Sequence, residues 1–200
     1  MCLRDADPTD HLNLNSRAAL ARSLVRETPV PESIKSAIAA EYGKLCEMYS
    51  PGVDVAVRSS ATTEDSADAS FAGQYESYLN VSGEQDIIEK WRRCVASMFT
   101  ERAIGYHLEH NMHPLDSAIA VVVMKMARSD KGSSGVMFTI DPDSGHEGVI
   151  HIGSSYGLGE LVVQGVVSPD TFTVWKEGLR QGKFPVVHRT LGSKDQMMVY

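Results

Sequence analysis

The sequence predicts an α+β fold, in which helices pack on a mixed or antiparallel sheet. Three observations carry this. Two helical stretches open the chain, one long amphipathic stretch occupies its middle, and from residue 118 onward the pattern is mainly strand-like. Helices and strands do not alternate regularly, which argues against a doubly wound parallel sheet. There is no internal repeat and no low-complexity tract.

Each element follows from local chemistry. Asn15 or Ser16 is a suitable N-cap, so a first helix is expected from there to about Glu27, with Ala19, Leu20, Leu24 and Val25 on one face. Thr28-Pro29-Val30-Pro31 interrupts it. Pro31 and Glu32 suit the start of a second helix, which carries Ile34, Ala37, Ile38, Tyr42 and Leu45 to about Tyr49. Ser50-Pro51-Gly52 ends it. Val55–Val57 reads as a short buried strand entering a turn at Arg58-Ser59-Ser60, and residues 61–70 as a polar loop. Tyr78–Val81 is a second strand. Ser82 or Gly83 opens one continuous helix to about Asn111, whose stripe is Ile87, Ile88, Trp91, Val95, Met98, Phe99, Ala103 and Tyr106. Strands follow at 118–126, 135–140, 148–153, 171–175 and 185–189, with a helical turn at 161–165. The change of character at Val53 suggests a helical segment, 1–52, and a second domain, 53–200.

Composition narrows the function. The 200 residues carry 19 Lys and Arg against 26 Asp and Glu, a net charge of −7. A general nucleic-acid binder would need a basic surface, so that partner is not expected. The longest apolar run, Ala118 to Met124, is far too short to cross a bilayer, and the acidic N-terminus has no apolar secretory core. Three scattered cysteines argue against a disulfide framework or a cysteine zinc site. A cytoplasmic protein without membrane contact is the expectation; the sequence leaves the oligomeric state open.

Three generic motifs fail. The stretch from Gly178 to Phe184 has the wrong spacing for a Walker A loop and lacks the hydroxyl after Lys183. Gly157-x-Gly159 is not a dinucleotide fingerprint. His146-Glu147-x-x-x-His151 is one residue longer than a zincin motif and falls at a strand entry, so no metal ligands are assigned.

One set of motifs does not fail. VAVRSSATTEDSADASFAGQYESYLNV (55–81), VVVMKMARSDKGSSGVMFTID (121–141), SSYGLGELVVQGVVSPDTF (154–172) and HRTLGSKDQMMVY (188–200) occur in this order. Together they resemble the ATP-binding domain of the phosphoenolpyruvate synthase (pyruvate, water dikinase) family. That domain is ATP-grasp-like and is shared with pyruvate phosphate dikinase and rifampin phosphotransferase. The resemblance implies a partial ATP-grasp domain over 53–200, with ATP and Mg²⁺ as ligands. In the family a further domain holds pyruvate, and a separate histidine domain carries the phosphoryl group. Neither is recognisable in these 200 residues, nor is the family's glycine-rich catalytic lysine stretch or its magnesium-binding acid and glutamine segment. The isolated chain is therefore expected to lack turnover. The alternatives are a rifampin-phosphotransferase-type ATP-binding domain and a non-catalytic nucleotide-binding or interaction module.

The resemblance also assigns residues. Arg58, in VRSS, would grip nucleotide phosphates, and a guanidinium suits that task because it binds oxyanions through paired hydrogen bonds. The local alternative is a surface ion pair with Glu64 or Asp65. Gly73, Gln74 and Ser77 resemble the family's phosphate-covering loop, where small residues let backbone N–H groups approach the anion; a plain hairpin turn is the alternative. Met124, Lys125 and Met126 correspond to the linker whose backbone reads the adenine edge. Family members often carry glutamine at the Met124 position, and a thioether would contact the purine face instead. Core packing is the other reading of Met124 and Met126. Glu160, after Tyr156-Gly157-Leu158-Gly159, is assigned to the ribose or nucleotide site, against the simpler role of a dipole partner at a helix start.

Overall fold

A computed structural model describes residues 3, 7, 9–62, 65–66, 69–70, 75–110, 112–113 and 115–200. The chain forms two compact units, residues 1–126 and 127–200.

In the first unit, α1 (His11–Glu27) starts one turn before the expected cap. The Asp10 carboxylate accepts the N–H groups of Leu12 and Asn13, each at 3.1 Å, and so satisfies donors that a helix start leaves open. α2 (Glu32–Met48) begins after Pro31 as its proline predicts. The Tyr42 hydroxyl donates to the Val53 carbonyl at 3.1 Å and accepts the Gly83 N–H at 3.0 Å, joining α2 to two later segments.

The strands are β1 (Val55–Ala61), β2 (Asp65–Ser66), β3 (Ala69–Ser70) and β4 (Ser77–Val81). α3 (Glu84–Ala96), α4 (Glu101–Glu109) and β5 (Ile119–Lys125) follow. β4, β1 and β5 form an antiparallel sheet in that order, and among the described residues β2 and β3 pair only with each other. Val55 and Val57 are fully buried beneath the helices, whereas Arg58 and Ser60 are exposed. This alternation corrects the expected turn at Arg58-Ser59-Ser60: all three are strand residues paired with β5. Their polarity marks an open sheet face, and a hydroxyl on such a face looks like turn chemistry in sequence.

The expected continuous helix is also corrected. A 3₁₀ turn at Ser97–Phe99 separates α3 from α4, and Thr100 has an extended backbone. The Ser97 hydroxyl donates to the Cys94 carbonyl at 2.7 Å, Thr100 Oγ1 caps the Ala103 N–H at 3.2 Å, and Arg22 donates to the Phe99 carbonyl at 3.1 Å. Side chains thus compensate the backbone groups that the break exposes. Thr100-Glu101 is a helix-start signal hidden inside an uninterrupted apolar stripe. Buried His107 ties α4 to the segment before β5 through Ala103 O at 2.6 Å and Ser117 Oγ at 2.7 Å.

The main core joins Tyr42, Val53, Val55, Val57, Val81, Ile87 and Cys94. A second cluster joins Leu3, Leu14, Ala18, Ala21 and Ile104. Full burial of a Val or Ile side chain contributes about 1.5–3 kcal/mol. Cys94 Sγ lies 3.5 Å from the Glu76 carbonyl oxygen, and burial, with Glu76 nearby, pushes its thiol up to about 11. A thiol held protonated is a poor nucleophile. Native protein treated with a maleimide at pH 7.5 should therefore leave Cys94 unmodified until denaturant is added, as peptide mass spectrometry would show. Rapid native labelling of Cys94 would mean that α3 is not seated on β1.

The second unit is a four-stranded antiparallel meander of β6 (Ser133–Phe138), β7 (Val149–Tyr156), β8 (Asp170–Trp175) and β9 (Val186–Thr190). β7 and β8 are linked through α5 (Glu160–Val163), close to the expected helical turn. α6 (Lys176–Arg180), which the sequence reading did not anticipate, follows β8. Gly135 faces Ser154, where a Cβ would run into the Gly153 carbonyl, so this close strand approach needs glycine.

Candidate functional site

The open face of the first unit's sheet gathers three of the assigned side chains. Arg58 on β1 stands opposite Ser77 on β4 and Val122 on β5. Met124 is opposite Ala56, one step along the same face. Val122 and Met124 are 46% and 48% exposed, so this face presents a cation, a hydroxyl and bare apolar surface side by side. The first two suit an oxyanion and the last a flat apolar ring. Among the described residues Arg58 has no ion-pair partner. Glu64 and the Asp65 side chain, the acids of the alternative reading, lie outside the described set.

The linker residues divide. β5 is an edge strand among the described residues, so its outer backbone groups have no strand partner there. Lys125 turns away from the Arg58 face; its ammonium lies 5.0 Å from the Tyr49 ring centroid and donates to the Met126 carbonyl at 3.5 Å. Met126 is 5% exposed, and its N–H donates to the Asp54 carbonyl at 2.9 Å. Of the two methionines, Met124 is the one presented to solvent.

Beneath Ser77, the preceding Glu76 is held in place. Its carbonyl accepts the Ser59 hydroxyl at 3.1 Å and its N–H donates to Ser97 Oγ at 3.3 Å. Its carboxylate accepts the Tyr78 hydroxyl, and burial followed by this bond raises the phenol well above its ordinary range. Gly73 and Gln74 lie outside the described residues.

Glu160 belongs to the second unit, exposed in the first turn of α5. The segment before it is tightly built. Gly157 has φ +76°, and a Cβ there would meet the Met198 carbonyl and come within 2.6 Å of Met197 Cγ. Its carbonyl accepts the Ser134 hydroxyl at 2.7 Å, its N–H donates to Gly132 at 3.2 Å, and the Leu158 N–H donates to Met198 at 2.9 Å. Glycine at 157 is thus required by a left-handed backbone and a close approach. Among the described residues, no group of three or more His, Cys, Asp or Glu side chains is arranged to hold a metal ion. No helix among them is long and apolar enough to cross a membrane.

Sequence reasoning missed Val122 as a neighbour of Arg58. The apolar run marked the strand that carries Val122, but the β1–β5 register that sets it opposite Arg58 is not written in any local pattern. Sequence reasoning also missed Asp170 and Lys194, which form a largely buried ion pair in the second unit.

Known proteins are similar to this sequence. It is 48% identical over 201 residues to phosphoenolpyruvate synthase of Synechocystis, covering 98% of this chain and 25% of that protein. The corresponding figures are 45% over 199 residues for the Helicobacter pylori phosphoenolpyruvate synthase, with 99% and 24% covered. For the Escherichia coli phosphoenolpyruvate synthase they are 42% over 198 residues, with 99% and 25% covered. The chain thus spans about a quarter of the length of these relatives. The family described as pyruvate phosphate dikinase, AMP/ATP-binding domain, matches residues 1–200, which supports ATP as a ligand. With its whole length matched, the chain belongs to the pyruvate phosphate dikinase AMP/ATP-binding domain family.

Proposed function

We propose that this chain is the ATP-binding part of a phosphoenolpyruvate synthase, in which ATP, pyruvate and water become phosphoenolpyruvate, AMP and phosphate. The observation that carries the reading is the open sheet face on which Arg58, Ser77, Val122 and Met124 stand together. On this reading the Arg58 guanidinium grips phosphate oxygens and stabilises charge that shifts during transfer. The Ser77 hydroxyl donates to the same phosphates. Met124 and Val122 pack against the purine, and the free edge of β5 hydrogen-bonds its rim. Gly73 and Gln74 cover the phosphates, and Glu160 binds the ribose.

The same reading takes residues 53–200 as a partial ATP-grasp domain after a helical segment, 1–52. It sets the enzyme in the cytoplasm and places pyruvate on a further domain of the longer protein. Mg²⁺ would neutralise phosphate charge, with ligands contributed from outside this chain.

ATP titration by calorimetry tests the reading. Met124→Glu puts a carboxylate where the purine would lie, on a side chain already half in solvent, so the fold should tolerate it. ATP should bind the unmodified protein saturably, and the variant at least about tenfold more weakly, equivalent to about 1.4 kcal/mol. Equal affinity in both proteins, or no saturable binding in the unmodified one, would remove the purine from this face.

A further inference from the structure

We propose that residues 192–198 form a strap that fixes the Tyr156–Glu160 segment, with Lys194 as the positioning residue that anchors it on Asp170. The inference rests on the reading of Glu160 as a nucleotide contact.

The strap is attached at two points. At one end the Lys194 ammonium bonds the Asp170 carboxylate and donates to the Gly192 carbonyl at 3.0 Å, while the Gly192 N–H donates to Asp170 Oδ1 at 2.9 Å. The Lys194 N–H reaches Ser168 O at 3.3 Å. At the other end Met198 forms a parallel bridge with Gly157 and accepts the Leu158 N–H. The attachments, at Gly157–Leu158 and at Ser168–Asp170, lie before and after α5 in the chain, so they bracket Glu160.

Three features distinguish this from an ordinary surface ion pair. The Lys194 side chain is only 9% exposed, so its charge is withdrawn from water and depends on Asp170. The Lys194 backbone has φ +46°, which a lysine seldom adopts unless its surroundings impose it. The ammonium also lies 5.9 Å from the ring centroid of Tyr156, the first residue of the strapped tract. Lys194 and Gly192, hydrogen bonds to one carboxylate, hold Asp170 below the usual carboxylate range. Gly192 itself has no room for a side chain, since a Cβ would strike the Ser168 and Pro169 carbonyls. One segment of chain thus contacts the tract at Tyr156, Gly157 and Leu158, and α5, whose first residue is Glu160, follows directly.

The test uses the full-length protein with Lys194→Met and, as the milder change, Asp170→Asn, which keeps an acceptor for Gly192. Hydrogen exchange read by mass spectrometry over residues 156–160 should quicken about tenfold, while β7 and β8 keep their protection. ATP affinity should fall roughly tenfold to a hundredfold, because misplacing a positioned group by about 1 Å has effects of that order. In a Glu160→Gln background the strap variants should cause little further loss, since both changes remove one contact. Unchanged exchange at 156–160 overturns the strap. Faster exchange with unchanged ATP affinity, or fully additive losses, overturns its positioning of Glu160. If Glu160→Gln alone leaves ATP affinity intact, the nucleotide reading of Glu160 fails, and exchange at 156–160 then decides the strap without it.

Discussion

On the proposed function, Arg58→Ala is expected to slow turnover of the longer enzyme about a hundredfold while barely moving its melting temperature. The two halves of this expectation have separate grounds. Arg58 sits on the solvent side of β1, away from buried Val55 and Val57, and has no ion-pair partner among the described residues. Removing it therefore empties no core space and strands no described counter-charge. A guanidinium aimed at a phosphoryl group stabilises charge that shifts in the transition state, and losing one such contact commonly costs about 3 kcal/mol. Steady-state rates and a thermal melt on the same preparation check both halves. Unfolding with unchanged activity per folded molecule would make Arg58 a structural residue.

Ile87→Ala should destabilise the first unit by about 2–5 kcal/mol. Ile87 is fully buried in the cluster with Val55, Val57, Val81 and Cys94, so its truncation loses transfer energy and leaves a cavity. Trp91, one turn further along α3, is the control. It is half-buried beside Leu24, Val25 and Val30, and Trp91→Ala should cost only about 2 kcal/mol despite removing a larger side chain. Urea melts of both variants give the ranking. A costlier Trp91 would mean that α3 is rotated from the orientation described.

The elements that were legible in the sequence are those with local punctuation. Pro31 and Ser50-Pro51-Gly52 bound α2 closely, and the apolar run from Ala118 marks β5. The outer half of β1 was illegible because Arg58 and Ser60 face solvent, so no apolar alternation within the segment reveals the strand period. The break at Ser97–Phe99 was hidden because the stripe runs through it unbroken. α6 is five residues around Gly178 with no apolar stripe to show it. For the candidate site, the family resemblance picked out Arg58, Ser77 and Met124 one by one. Their shared face depends on register between strands distant in the chain, which no local pattern carries.

The two larger sheets also differ in when each can be completed during synthesis. In the meander of the second unit every strand pairs with its predecessor, so each hairpin closes a short loop and can form soon after its second strand leaves the ribosome. The first unit's sheet has β1 at its centre, and Val57 must wait for Val123 before its second edge is covered. That wait spans α3 and α4, and closing so long a loop carries an entropic cost recovered only when β5 docks. Until then the nascent chain presents an unpaired strand edge beside Val55 and Val57, an aggregation hazard that chaperones would have to shield. The slow step in this chain's maturation should therefore be the docking of β5, although the residues it must meet are synthesised well before it.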